Sequence, residues 1–129
     1  MKHAALSNGE WKLMELLWDY APRTLGEFVE KLHEETGWTK GTVYTMLKRM
    51  LDKKIIRVDE SGRRQEYYPV LAREEAQMRE TENFLEKVYH GSMRMMLAAM
   101  TGRKGLSDTE IDELYQVLEE AKRGGGSCD

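Results

Sequence analysis

The stretch Trp38-Thr39-Lys40-Gly41-Thr42-Val43-Tyr44-Thr45-Met46-Leu47-Lys48-Arg49-Met50-Leu51 decides how the rest of the chain is understood. Wound as a helix at about 3.6 residues per turn, it separates into two faces. Val43, Met46, Leu47, Met50 and Leu51 fall on one side, and Gly41, Thr42, Tyr44, Thr45, Lys48 and Arg49 on the other. The polar side carries hydroxyls and two cations but no carboxylate, in a chain whose 23 Asp and Glu outnumber its 20 Lys and Arg. A solvated helix face in an acidic protein normally mixes both signs. This face is composed to meet an anion, and the free N–H groups at the start of the helix favour the same kind of partner.

The flanks extend that reading. Thr24 to Glu35 has the pattern of a short amphipathic helix, and Thr36-Gly37-Trp38 that of a turn. Two helices joined by a short glycine-containing turn, the second with a polar outer face, make a helix-turn-helix. After Leu51 come Ile55-Ile56-Arg57-Val58, then Asp59-Glu60-Ser61-Gly62-Arg63-Arg64, then Gln65-Glu66-Tyr67-Tyr68. That is a β-hairpin with a basic flank, placed where a wing belongs. Ile56 and Val58 alternate with polar residues, as do Tyr68 and Val70 on the return, and these are the expected inward positions. Pro69 has no N–H for a ladder and marks an edge or the end of pairing. The predicted fold is mainly α with a small β-hairpin wing: a winged helix-turn-helix followed by a C-terminal helical region.

Ser7-Asn8-Gly9-Glu10 and Thr24-Leu25-Gly26-Glu27 are both capping-box patterns. The first opens a helix to about Tyr20 with Trp11, Met14, Leu17 and Trp18 on one stripe; the second puts Leu25, Phe28, Val29 and Leu32 inward. Ala21-Pro22-Arg23 separates them, because the residue before proline avoids the α region. Thr39 is the expected cap of the third helix, and Lys53 and Lys54 at its C-terminal end suit the helix dipole. From Ala72 one long helix is expected to about Met100, broken by Thr101-Gly102-Arg103-Lys104-Gly105. Ser107-Asp108-Thr109-Glu110 then opens a last helix. The sequence divides at 1–71 for the winged helix, 72–123 for the helical region and 124–129 for a flexible glycine tail. Leu85, Val88, Tyr89, Met96, Leu97, Ile111, Leu114, Tyr115 and Leu118 give the helical region more apolar surface than two helices can hide. A second copy of the same chain is the expected cover.

Charge is distributed unevenly. Thr36 to Glu66 holds eight Lys and Arg against four Asp and Glu, whereas Gln77 to Asp129 holds seven against ten. A basic head on an acidic support fits a nucleic-acid partner better than the net charge of −3 suggests. No apolar run approaches the roughly 18 residues of a membrane span, and Met1 to Gly9 has no signal-peptide core, so a cytoplasmic protein is expected. Enzyme chemistry finds no support. His33-Glu34-Glu35-Thr36-Gly37 lacks the second histidine of a zinc helix, and His3, His33 and His90 are scattered. The lone Cys128, on a glycine tail, completes no metal site and reads as a solvated thiol. No cofactor is expected.

The chain resembles the penicillinase-repressor family, the BlaI/MecI/CopY type of bacterial repressors. The resemblance is carried by Leu6-Ser7 with Glu10-Trp11 and Trp18, by Thr42-Val43 to Arg49, and by Lys53-Lys54-Ile55-Ile56 with Tyr67-Tyr68. It continues through Phe84-Leu85, Tyr89 to Gly91, and Leu106-Ser107 to Glu113-Leu114. It implies a homodimeric repressor on palindromic double-stranded operator DNA, which in the β-lactam branch is released when a sensor protease clips it. In such a protein Thr42, Tyr44, Thr45, Lys48 and Arg49 would face the major groove. Lys40, Arg63 and Arg64 would meet phosphates or the minor groove. Three departures stand out. Gly41 and Tyr44 occupy positions that are basic in familiar members. The paired C-terminal cysteines of the copper-responsive branch are reduced to Cys128. The clipped Asn-Phe bond is replaced by Ala99-Met100. If this chain is clipped at all, the cut is therefore expected between Ala98 and Gly105 by a protease of other specificity, the competing outcome being release of the intact protein by an effector. Two rival readings are a repressor released by a small molecule bound near the dimer interface, among Met93 to Met100, and a winged helix that binds protein. The second calls for an apolar or acidic outer face on the third helix, which this chain lacks.

Overall fold

The structure is a computed structural model and describes residues 5–103 and 105–125. The elements follow in the order α1 (Asn8–Asp19), β1 (Arg23–Thr24), α2 (Leu25–Thr36), α3 (Lys40–Asp52), β2 (Ile56–Asp59), β3 (Glu66–Pro69), α4 (Arg73–Tyr89), α5 (Met93–Arg103) and α6 (Asp108–Gly125). The chain divides into two compact units after Asn83, within α4.

In the first unit the helices begin where their side chains can satisfy the first free N–H groups. Ser7 Oγ accepts the Glu10 N–H at 3.1 Å while Glu10 accepts the Ser7 N–H at 3.0 Å. Thr24 and Glu27 repeat the exchange at 3.3 and 2.8 Å. α2 stops at Gly37, whose φ of +69° is the left-handed conformation a short turn into α3 requires. Thr39 caps α3 through the Thr42 N–H at 3.2 Å. Leu13, Met14 and Leu17 of α1, Phe28 and Leu32 of α2, and Val43, Leu47 and Met50 of α3 meet in one core closed by Ile55, Ile56, Tyr67 and Leu71. Helix periodicity anticipated these faces except for Leu13, and it placed inward Trp11 and Trp18, which lie at the margin of the core, edge to face at 5.4 Å.

The sheet is larger than a hairpin. β1 joins it, in the order β1-β3-β2, with Arg23 opposite Tyr67 and Val58 opposite Tyr67 on the other side. β3 is therefore the central strand, and Pro69 sits at its last position, where the pairing ends. The inward residue on β3 is Tyr67, 2% exposed, rather than Tyr68, and Val70 is 56% exposed. Alternation alone did not fix which of two adjacent tyrosines turns inward. The Phe28 ring does, meeting Tyr67 edge to face at 6.1 Å. The first turns of α4 are fastened to α1: Trp18 Nε1 donates to the Leu71 carbonyl at 2.8 Å, Arg73 reaches Glu15 and Asp19 at 3.2 Å each, and Ala76 is buried.

The second unit departs from the single long helix expected to Met100. α4 ends at Tyr89, because His90 and Gly91 both take positive φ, with the His90 N–H on the Glu86 carbonyl and the Gly91 N–H on the Leu85 carbonyl. This is a glycine-assisted helix stop; the apolar period resumes after it, which hides the break from a periodicity argument. α5 then continues through Thr101 and Gly102 to Arg103, so the expected break at Thr101 is corrected to a later and shorter one. Ser107 and Glu110 form the third capping box, at 2.9 and 3.1 Å. α6 runs on to Gly125, two residues into the expected glycine tail, and Cys128 lies outside the described residues.

Candidate nucleic-acid interface

α3 presents the two faces its sequence encodes. Val43, Leu47 and Met50 are fully buried, while Lys40, Gly41, Thr42, Tyr44, Thr45, Lys48 and Arg49 are all exposed. Along that outer face Thr39, Gly41, Thr42, Thr45, Met46 and Arg49 line one shallow groove. The Lys48 ammonium lies 5.9 Å from the centre of the Tyr44 ring, within range of a cation–π contact. The wing stands beside the start of α3: Lys40, Arg64 and Gln65 share a cleft of about 500 Å³ with Thr24, Leu25 and Gly26 at the start of α2. Arg63 and Arg64 are exposed on the loop between β2 and β3. Among the described residues, none of Lys40, Lys48, Arg49, Arg63 or Arg64 enters a salt bridge. All eight residues expected at a DNA surface are thus exposed, and Lys40 and Arg64 are brought together.

Two basic residues of the same segment are committed elsewhere. Lys53 Nζ bonds both carboxylate oxygens of Glu10, at 2.8 and 2.9 Å. The Glu10 side chain is 3% exposed, so Lys53 ties the end of α3 to the start of α1 rather than merely facing a helix dipole. Burial alone would raise the Glu10 carboxyl, but the Lys53 hydrogen bond, the Ser7 N–H and the charges of Lys53 and Arg49 hold it below the ordinary carboxylate range. At Gly9 of α1 an added Cβ would come within 2.5 Å of Met46 Cε and 3.2 Å of the Trp38 ring, so the end of the Met46 side chain would have to move aside. Arg57 lies over the Tyr68 ring at 4.0 Å, which stiffens the wing. At the wing's turn the Asp59 carboxylate accepts the Ser61 N–H and hydroxyl at 2.9 and 2.7 Å, and these bonds, with the charge of Arg57, lower its pKa. Burial pushes the Tyr67 phenol up, and Tyr44 and Glu60 nearby add to the shift. Lys53 as a brace, β1 as a strand and the cleft at Thr24 were not evident in the sequence. Ser7-x-x-Glu10 signalled only the cap.

In the second unit, Leu97, Ile111, Leu114, Tyr115 and Leu118 line an apolar groove of about 200 Å³ with Thr101 and Leu106. Tyr115 and Leu118 are 66% and 54% exposed. Leu85, Val88, Tyr89 and Met96, also expected on an association face, lie outside that lining. Val88 is exposed, and Tyr89 packs edge to face on Phe84 at 6.0 Å. No group of metal-binding side chains and no helix long and apolar enough to cross a membrane occurs among the described residues.

Known proteins are similar to this chain in sequence and, for its first unit, in fold. A family model described as Penicillinase repressor matches residues 6–120. The penicillinase repressor of Bacillus licheniformis is 29% identical over 117 residues, 91% of each chain. The methicillin resistance regulatory protein MecI of Staphylococcus aureus is 24% identical over 113 residues, 88% of this chain and 92% of that one. The solution structure of the DNA binding domain of the repressor BlaI matches with a TM-score of 0.50 at 25% identity, over 58% of this chain and 93% of that one. The first unit is thus a winged helix, and over nearly its whole length this chain belongs to the penicillinase repressor family.

Proposed function

We propose that the protein is a transcriptional repressor that binds double-stranded operator DNA as a homodimer, one winged helix on each half-site. The observation that carries this is the outer face of α3 from Lys40 to Arg49, which is exposed and carries hydroxyls, a phenol and cations with no carboxylate before Asp52 at the helix's end. Thr42, Tyr44, Thr45, Lys48 and Arg49 supply groups able to meet base edges, of which arginine on guanine and the threonine methyl on thymine are the most selective. Lys40 and Arg64, flanking the first N–H groups of α2, supply phosphate contacts that set register without reading sequence. The names of the relatives point the same way.

Arg49→Ala or Thr45→Ala is expected to weaken operator binding by about 1–3 kcal/mol if the lost contact is to a base edge. Arg63→Ala should weaken all sequences alike and reduce the salt slope by about one. Titrations of labelled duplexes at several salt concentrations separate the two. Wild-type affinity in all three variants means that α3 does not read the operator through this face.

Association is supported by α5, an apolar helix with no buried residue, and by the groove beside it. Met93, Met96, Leu97 and Met100 share one face of α5. An apolar face of this kind belongs under cover, and a second copy supplies that cover symmetrically. Release by clipping is constrained by the same helices. Ala99-Met100 lies inside α5, where a protease must first open the helix. The stops at His90 to Ser92 and Gly105 to Ser107 are the more accessible places, which shifts the expected cut out of Thr101 to Arg103. Mass spectrometry of the endogenous protein after induction should find fragments ending there; an intact chain that has left its operator means release by an effector instead.

A further inference from the structure

α5 has a second property that operator binding does not use. Four of its eleven residues are methionine, and Met93, Met95 and Met100 are 55%, 47% and 47% exposed, with Met96 half-buried. The other described methionines outside α5 divide sharply: Met14 and Met50 are fully buried in the head, Met46 is half-buried, and Met78 on α4 is exposed. At about 100° per residue, Met93, Met96, Leu97 and Met100 fall on one face of α5 and Met95 on the opposite one. A second copy covering the face of Met93, Met96, Leu97 and Met100 puts thioethers within the contact and leaves Met95 beside it.

We propose that α5 is a methionine oxidation site, and that sulfoxide formation there loosens the association of two chains. The proposal rests on the homodimer argued above. The reactant is a hydroperoxide such as hydrogen peroxide. The thioether sulfur attacks one peroxide oxygen, an S–O bond forms and the O–O bond breaks, and the departing oxygen leaves as water with both peroxide protons. Sulfur is oxidised by two electrons and the peroxide reduced by two. The product is a polar sulfoxide where the face had an apolar, flexible side chain, a change that disrupts methionine-rich interfaces and that methionine sulfoxide reductases reverse. Met14 and Met50, in the core of the head, have no exposed surface and are spared. Met46 of α3 is half-buried, and a variant with leucine in place of the α5 methionines, which keeps Met46, separates oxidation there from the effect of α5 on association.

The test is sedimentation of the whole chain before and after hydrogen peroxide, with peptide mass mapping of the oxidised positions. Met93, Met95 and Met100 should gain oxygen well before Met14 and Met50, and the dimer dissociation constant should rise about tenfold or more. Treatment with the two sulfoxide reductases should restore it. The variant carrying Met93→Leu, Met95→Leu, Met96→Leu and Met100→Leu retains Met78 and should stay dimeric in peroxide. If the untreated chain is a monomer, the homodimer reading fails and this proposal with it. If the untreated chain is a dimer that stays one after α5 is oxidised, the proposal alone is overturned. It is also overturned if the leucine variant dissociates in peroxide as the wild type does. Should that variant fail to associate at all, reductase rescue of the oxidised wild type decides: no rescue of the dimer rejects the proposal.

Discussion

A fragment ending at Asn83 is expected to fold as a monomer and to hold a two-half-site operator about 10²–10⁴-fold more weakly than the whole chain. The fragment keeps the core of the first unit, from Leu13 to Ala76, and the bonds of Arg73 to Glu15 and Asp19. A cut at Leu71, the boundary the sequence suggests, would remove Ala76 and Arg73 and so confuse lost association with lost stability. No base-reading group is lost at Asn83. What disappears is the second head's effective concentration, which converts one bidentate binding event into two separate ones. Sedimentation and fluorescence anisotropy on the same duplex measure both halves of the expectation. A monomeric fragment that binds the full operator as tightly as the whole chain would show that association contributes nothing to occupancy.

Lys53→Met is expected to lower the stability of the head by about 2–3 kcal/mol at neutral pH. That is below the ~3–5 kcal/mol of a fully buried pair, because the Lys53 side chain keeps 35% of its surface in water. The substitution keeps the aliphatic stem and removes the charge, leaving the Glu10 carboxylate buried against the Ser7 N–H and the more distant Arg49. The pH dependence identifies the cause. In the wild type the Glu10 pKa is lowered from 4.5, so its contribution is fully present above that value and is lost as pH falls through the lower folded value. In the variant burial dominates, the pKa rises, and acid relieves the strain of a lone buried charge. The two stability curves should therefore approach one another in acid and separate toward neutrality. Urea titrations across pH 3–7 measure this; a deficit of constant size at every pH would mean that Lys53 acts only through packing.

Much of the head was legible because its signals are local. Capping boxes at Ser7 and Thr24, the glycine turn at Gly37 and the two-faced stretch from Trp38 to Leu51 each constrain a few adjacent residues, and the helices formed there as expected. What escaped depends on contacts distant in sequence. β1 is two residues long, too short for any period, and exists because Tyr67 and Glu66 of β3 offer it a partner. Tyr67 turns inward because Phe28 waits there, thirty-nine positions earlier in the chain. Lys53 sits at a helix end, where the dipole is explanation enough until Glu10 is seen beneath it. The stop at His90 was masked for another reason: Met96 and Met100 resume the apolar spacing of α4, and only Gly91 marks the interruption. The outer face of α3 was legible as a surface, since exposure follows from amphipathicity. Its partner followed from the missing carboxylates and from the position of the wing.

The central claim is that this chain reads two DNA half-sites through α3, and selection of bound sequences from a random duplex library by the whole chain tests it most directly. The account predicts an enriched inverted repeat whose half-site centres lie about 10–10.5 base pairs apart or a multiple of that. It also predicts that the Arg49→Ala variant enriches a relaxed version, degenerate at the same position in each half. Recovery of no preferred sequence, or of a motif that Arg49→Ala leaves unchanged, would contradict it.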